Sequence, residues 1–150
     1  MLAESLTPGS LLWLAATRWR VAADHELAEL GVTHAQYVVL STLLGMGPRG
    51  QRPNQRSVAD EAGLDPLFVS KLVAALERQG LVHRTRDPSD ARSIQLTLTE
   101  EGVATAREAA GVMRQLHEVV FAGIGGLHGP AVAELVDSLR ELLATSLPAR

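Results

Sequence analysis

Residues 54–80 read NQRSVADEAGLDPLFVSKLVAALERQG, and the two breaks inside this stretch decide the fold. Asn54 is a helix-capping residue type. Val58, Ala59 and Ala62 then line one side of a short helix, and Gly63 stands where a left-handed turn ends it. Asp65 and Pro66 follow as cap and first-turn proline of a second helix. In that helix Val69, Leu72, Val73 and Leu76 fall at i, i+3, i+4 and i+7, which makes one apolar face, and Gly80 closes it. Two helices joined by a glycine-containing turn are a helix-turn-helix.

Past Gly80 the period changes. Leu81, His83 and Thr85 alternate with Val82, Arg84 and Arg86, and further on Ile94, Leu96 and Leu98 alternate with Gln95 and Thr97, the pattern of two strands. The loop between them, Asp87-Pro88-Ser89-Asp90-Ala91-Arg92-Ser93, is rich in turn formers and too charged to be buried, so the hairpin reads as a wing. Thr99 caps a long helix with Glu100 and Glu101 at its positive end and Val103, Ala106, Ala110, Met113, Leu116 and Val120 as its apolar stripe. A glycine-rich break at 123–130 precedes a last helix carrying Val132, Leu135, Val136, Leu139, Leu142 and Leu143. Upstream, the breaker cluster Thr7-Pro8-Gly9-Ser10 precedes a helix from Leu11 to about Leu30 that stops at Gly31. Thr33 and Gln36 have the spacing of a capping box, opening a helix with Tyr37, Leu40, Leu43 and Leu44 that ends in a breaker region at 45–53.

The expected fold is mainly α with a β-hairpin wing, in a single composite domain over 1–150. A winged helix-turn-helix at 34–98 is flanked by terminal helices at 11–30 and 100–147. Composition agrees: 150 residues with 46% apolar side chains suffice for one core, and 3% aromatics favour helices packed through aliphatic stripes. There is no cysteine, which excludes disulfides, thiolate metal sites and thiol redox sensing. His25, His34, His83, His117 and His128 show no tight ligand spacing, so neither metal nor cofactor is expected. The first twenty residues have the wrong order for a secretory signal, and no apolar run approaches the roughly eighteen residues of a membrane span; no membrane association and a cytoplasmic location are expected. An enzyme is not expected either. Gly123-Ile124-Gly125-Gly126 lacks a preceding strand and a following Gly-Lys-Ser/Thr, His117-Glu118 lacks the second His of a zinc protease, and there is no Gly-x-Ser-x-Gly elbow.

The net charge of -3 runs against phosphate neutralisation, but its distribution does not. Between 47 and 98 eight cations meet six anions, a local +2, whereas the rest of the chain holds six cations against eleven anions. Side chains that reach bases must come from the start of the second helix of the motif, on the face away from its core: Leu67, Phe68, Ser70 and Lys71. Ser70 and Lys71 can donate to bases or phosphates. Phe68 has two readings, a contact to a thymine methyl or a buried core aromatic. At the start of the first helix of the motif, Gln55, Arg56 and Ser57 read as a phosphate-holding group or as ordinary solvated first-turn residues. The wing offers Arg84, Arg86 and Arg92. Arg92 is placed to enter a narrow minor groove, while Arg86 and Asp90 have the alternative of pairing with each other. Double-stranded DNA is therefore the expected partner, and a winged-helix interaction module without DNA binding is the competing reading that the modest charge leaves open.

The run from Asn54 to Gly102, with Ser57-Val58-Ala59, Asp65-Pro66, Val69-Ser70-Lys71-Leu72, Gly80-Leu81-Val82, Arg86-Asp87-Pro88-Ser89-Asp90-Ala91-Arg92 and Leu96-Thr97, resembles the multiple-antibiotic-resistance regulator (MarR) family. The order of helices on both sides matches over nearly the whole chain. The resemblance implies a homodimer in which the terminal helices intertwine and set two winged modules on a pseudo-palindromic operator, with Asp90 and Arg92 as the wing pair. It implies a repressor of nearby genes, released by a small aromatic or lipophilic effector in a cleft for which Trp13, Trp19, His34 and Tyr37 are the candidates. Each of these also reads as a packing residue. Phe68 stands where many members have a small hydroxyl residue and Lys71 where Arg is common, so the operator sequence does not carry over. The Leu and Val stripes of the terminal helices suit burial by a partner chain and equally suit packing within one chain.

Overall fold

The computed structural model of the chain describes residues 7–49 and 53–146. Positions 50–52 of the expected 34–98 region and position 147 of the expected last helix lie outside the described residues. The elements are α1 (Pro8–Leu27), α2 (His34–Met46), α3 (Gln55–Ala62), α4 (Pro66–Arg78), β1 (Val82–Arg86), β2 (Ile94–Leu98), α5 (Glu100–Ala122) and α6 (Pro130–Ala144), with short 3-10 turns at Ala28–Leu30 and Gly47–Arg49. This is the mainly helical fold with an antiparallel hairpin wing that the sequence leads one to expect.

Local chemistry accounts for most helix ends. Thr33 and Gln36 form the expected capping box, Gln36 N–H donating to Thr33 Oγ1 at 3.2 Å and Thr33 N–H to Gln36 Oε1 at 2.9 Å. Asp65 Oδ1 accepts the N–H groups of Leu67 and Phe68 at 2.9 and 3.1 Å, with Pro66 in the first turn. Gly63 adopts φ 66, the left-handed conformation that lets α3 stop and the cap of α4, Asp65, follow two residues later. One boundary differs from the sequence reading. The Thr7-Pro8-Gly9-Ser10 cluster starts α1 rather than preceding it, because Thr7 Oγ1 accepts the Ser10 N–H and Pro8 occupies the first position, where a missing N–H breaks no helical bond.

The chain divides into two compact units, Met1–Val112 and Met113–Arg150, with the boundary inside α5. In the first, α2, α3 and α4 pack on one another and on the hairpin, and α1 lies against α2. Leu40, Val58, Val69, Val73, Leu76, Val82 and Leu96 are fully buried there, each contributing about 1.5–3 kcal/mol. The apolar face inferred for α4 is thus its buried face. The strands pair antiparallel with Val82 opposite Leu98, Arg84 opposite Leu96 and Arg86 opposite Ile94. Gln36, a buried polar residue, donates through Nε2 to Gln79 Oε1 at 2.9 Å, and Gln79 Nε2 donates to the Gly31 carbonyl at 2.7 Å. The end of α4 is thereby tied to the α1–α2 turn and the start of α2, and the buried amide is satisfied.

In the second unit His117 and Phe121 stack with ring centroids 6.0 Å apart, and the turn after α5 closes when Gly126 N–H donates to the Phe121 carbonyl. Met113 and Val132 are buried, but Val120, Leu135, Val136, Leu142 and Leu143 of the expected stripes are exposed.

Candidate nucleic-acid interface

The start of α3 and the root of the wing are built as one piece. Asn54 caps α3 by accepting the Ser57 N–H at 2.8 Å, and Ser57 Oγ accepts the Asn54 N–H at 2.9 Å while donating to the Asn54 carbonyl. On the other side Leu96 N–H donates to the Pro53 carbonyl at 2.8 Å, Asn54 bridges to Gln95, and Asn54 Nδ2 reaches Ser93 Oγ at 3.5 Å. The result is a groove of about 260 Å³ lined by Asn54, Gln55, Arg56, Arg92, Ser93 and Ile94. It is lined by two arginines from distant parts of the sequence, at the positive end of a helix, an arrangement suited to a phosphate. Neither Arg56 nor Arg92 takes part in an ion pair among the described residues.

The wing owes its shape to its aspartates. Asp87 Oδ1 accepts Ser89 N–H and Oγ–H at 2.8 and 2.6 Å, Asp90 Oδ1 accepts Arg92 N–H at 3.0 Å, and Asp87 N–H closes on the Ser93 carbonyl at 2.9 Å. Asp90 therefore orients Arg92 through its backbone, and the alternative Arg86–Asp90 ion pair is absent among the described residues. Arg86 and Arg92 are exposed.

The other candidates are distributed as follows. On α4, Leu67, Phe68 and Lys71 are exposed and Ser70 is half-buried, so the core reading of Phe68 does not hold. Asp65 and Pro66 start the helix so early that Phe68 lies on the flank of the first turn, clear of the face set by Val69 and Val73. Gln55 is half-buried and Arg56 exposed at the mouth of the groove, whereas the Ser57 hydroxyl is occupied in the α3 cap. Arg84 is held at 2.6 Å by Glu77 of α4, which fixes the wing to the base of that helix instead of extending towards a groove. Hydrogen bonding to Arg84 holds the Glu77 carboxyl below the ordinary 4.5. The pair is formed above that value and is lost as pH falls through the lowered one. A carboxyl titration followed by NMR should find Glu77 ionising below 4.5, and Arg84→Ala should return it to the ordinary range.

The effector candidates separate. Trp19 meets His34 edge-on with centroids 6.1 Å apart, and Tyr37 lies 6.3 Å beyond, where α1 crosses the start of α2. His34 N–H donates to Asp24 Oδ1 at 2.7 Å, which fastens this crossing. Trp13 is not part of the cluster. It sits six residues earlier on α1, about 9 Å along the axis, 69% exposed beside Thr7, Ser10 and Leu14. No group of three metal-ligating side chains occurs among the described residues. Asn54 and Ser93, which join α3 to the wing, escape a reading of the sequence as site residues. The cap at Asn54 is visible there, but the hairpin register that brings Ser93 beside it is not.

The profile of the MarR family matches residues 30–93. The HTH-type transcriptional regulator YdcH of Bacillus subtilis (strain 168) is 32% identical over 116 residues, 77% of this chain and 79% of that protein. The crystal structure of CouR from Rhodococcus jostii RHA1 bound to p-coumaroyl-CoA superposes with a TM-score of 0.76 at 30% identity, covering 99% of this chain and 100% of that one. The structure of the transcriptional repressor CouR bound to a 23-mer DNA duplex superposes with a TM-score of 0.74 at 30% identity, covering 93% of each chain. Matched by the family profile through its helix-turn-helix and into its wing, and by these regulators over most of its length, the chain belongs to the MarR family of winged helix-turn-helix transcription regulators.

Proposed function

We propose that this chain is a homodimeric transcriptional repressor that reads a pseudo-palindromic operator through residues 34–98 and leaves it when a small aromatic or lipophilic effector binds. The observation that carries the reading is the groove at the start of α3, which Arg56 and Arg92 both line, while Lys71 of α4 is exposed. In this reading Arg56, Gln55 and Arg92 hold backbone phosphate or the minor groove, and α4 enters the major groove with Leu67, Phe68, Ser70 and Lys71. Arg86 supports the wing contact, while Asp90 shapes the wing, Ser57 supports the α3 cap and Arg84 acts through Glu77.

Dimerisation through the terminal helices at 11–30 and 100–147 is supported by the large apolar side chains each unit exposes, among them Leu11, Leu12 and Val21 in the first and Leu135, Leu142 and Leu143 in the second. Effector binding is supported by the Trp19–His34–Tyr37 cluster and by the CouR structure, whose bound molecule is an aromatic thioester. A cytoplasmic location accords with the absence, among the described residues, of any helix long and apolar enough to cross a membrane.

The test is an anisotropy titration of the full chain against duplexes tiling the region next to its own gene, at about 50 to 200 mM salt. One duplex should bind far more tightly than the rest, with log K falling linearly with log salt. Lys71→Ala should lower that slope by about one unit for each module bound. Salt-independent binding, or a folded dimer that binds no duplex, would sink the proposal.

A further inference from the structure

We infer that the start of α4 reads thymine by its 5-methyl group, through Leu67 and Phe68, and this rests on the proposed operator-reading role. In the first turn of α4 Leu67 is 76% exposed and Phe68 43% exposed. Residues 67, 71, 74 and 78 share the helix face directly opposite Val69, Leu72, Val73 and Leu76, and 68 lies on its flank. The helix cannot retract these side chains, since the Asp65 cap and Pro66 fix where its first turn begins.

Two features of the turn say what it can recognise. Both of its first side-chain-bearing amides, Leu67 N–H and Phe68 N–H, are already taken by Asp65, so the helix start offers an anion no free donor there. The face also carries no Arg, Asn or Gln within its first two turns, so no bidentate pairing with adenine is available, Lys71 in the second turn is the one group able to read guanine, and Ser70 supplies a single donor. What the turn presents is carbon, and the one apolar group on the major-groove edge of a base pair is the thymine methyl. The partner is DNA rather than another apolar protein surface because the same face continues into the exposed cations Lys71 and Arg78, which match phosphate.

The experiment uses the full chain and a duplex enriched by it from a random pool. Each thymine of that site is replaced in turn by 2′-deoxyuridine, which removes the methyl and nothing else. At one or two positions per half-site the wild type should lose about fourfold in affinity for each methyl removed. Leu67→Ala and Phe68→Ala should bind the unmodified site more weakly and lose that sensitivity; Leu67→Ala should keep the melting temperature because the side chain is 76% exposed, and Phe68→Ala, at 43% exposed, should lower it only modestly. A site whose binding ignores every uridine substitution, or variants that keep the full thymine-to-uridine ratio, overturns the inference while leaving DNA binding intact. Variants that keep DNA affinity but change the sedimentation of the free chain overturn it too, assigning the apolar tip to a second copy. Failure to enrich any duplex overturns the operator-reading role itself, and the inference with it.

Discussion

Changing Arg56 and Arg92 together to alanine is expected to lower operator affinity by roughly two orders of magnitude at physiological salt. Arg56 and Arg92 line one groove at the positive end of α3, so a phosphate seated there is expected to meet both charges and the helix terminus at once. A chain with net charge -3 has little diffuse attraction for DNA, which makes affinity depend on such placed contacts. If two modules act in one dimer, the double variant removes one phosphate contact from each and the salt slope should fall by about two units. The two single changes should be less than additive relative to the pair, since both act on one phosphate. Anisotropy titrations at several salt concentrations measure all three quantities. A double variant with the wild-type slope would show that the groove holds no phosphate, whatever its affinity. The groove itself should survive, because the cap and the Pro53–Leu96 hydrogen bond that build it involve neither arginine side chain.

The second large effect concerns stability. Gly102→Ala should destabilise the chain by ~3 kcal/mol or more, lowering the melting temperature by on the order of 10 °C. A β-carbon built at position 102 overlaps the Leu81 carbonyl oxygen and falls 2.9 Å from its carbon, which is backbone and cannot swing aside. The contact is close because α5 is fastened there: Thr99 N–H donates to the Leu81 carbonyl at 3.1 Å, Thr99 Oγ1 donates to the Gly80 carbonyl at 2.7 Å, and Gly102 N–H donates to Thr99 Oγ1 at 2.9 Å. An alanine must pry the first turn of α5 off the link between α4 and β1. Gly111, in the same helix, has nothing within 4 Å of the equivalent position, and Gly111→Ala should stabilise by about 0.5–1 kcal/mol through helix propensity. Thermal melts of both variants beside the wild type decide the matter. Equal melting temperatures for Gly102→Ala and the wild type would refute the close approach. DNA binding should fall in Gly102→Ala even where the fold persists, since the same link sets the direction of α4 relative to the wing.

Much of the fold is legible along the chain because its punctuation is local. The Thr33 and Asn54 caps, the Asp65-Pro66 helix start and the Gly63 turn are satisfied by backbone groups no more than four residues away, so residue type and spacing suffice to place them. The apolar face of α4 is equally readable, since burial there follows the helical period, whereas the strands bury Val82 and Leu96 and leave Ile94 exposed. The Thr7–Ser10 cluster misleads for a related reason: proline and glycine break a helix in its interior but are tolerated in its first turn, and only the hydrogen bonds tell which applies.

The candidate site divides along the same line. That the surface proposed to meet DNA is built from the first turns of α3 and α4 and a wing is set by the sequence alone, through caps, periods and turn chemistry acting over a few residues. Which side chains are available to meet it was decided by tertiary structure. Ser57 is drawn into a cap, Arg84 is bound to Glu77, Trp13 is separated from the Trp19–His34–Tyr37 cluster, and Phe68 lies outside the core. Arg56 and Arg92 meet only because the Leu96 N–H closes on the Pro53 carbonyl and sets the wing against the start of α3. Helix caps satisfy groups that are neighbours in the chain, whereas a groove, an ion pair or an exposed aromatic depends on the register of elements that are distant in sequence, and packing fixes that register only once the core has formed.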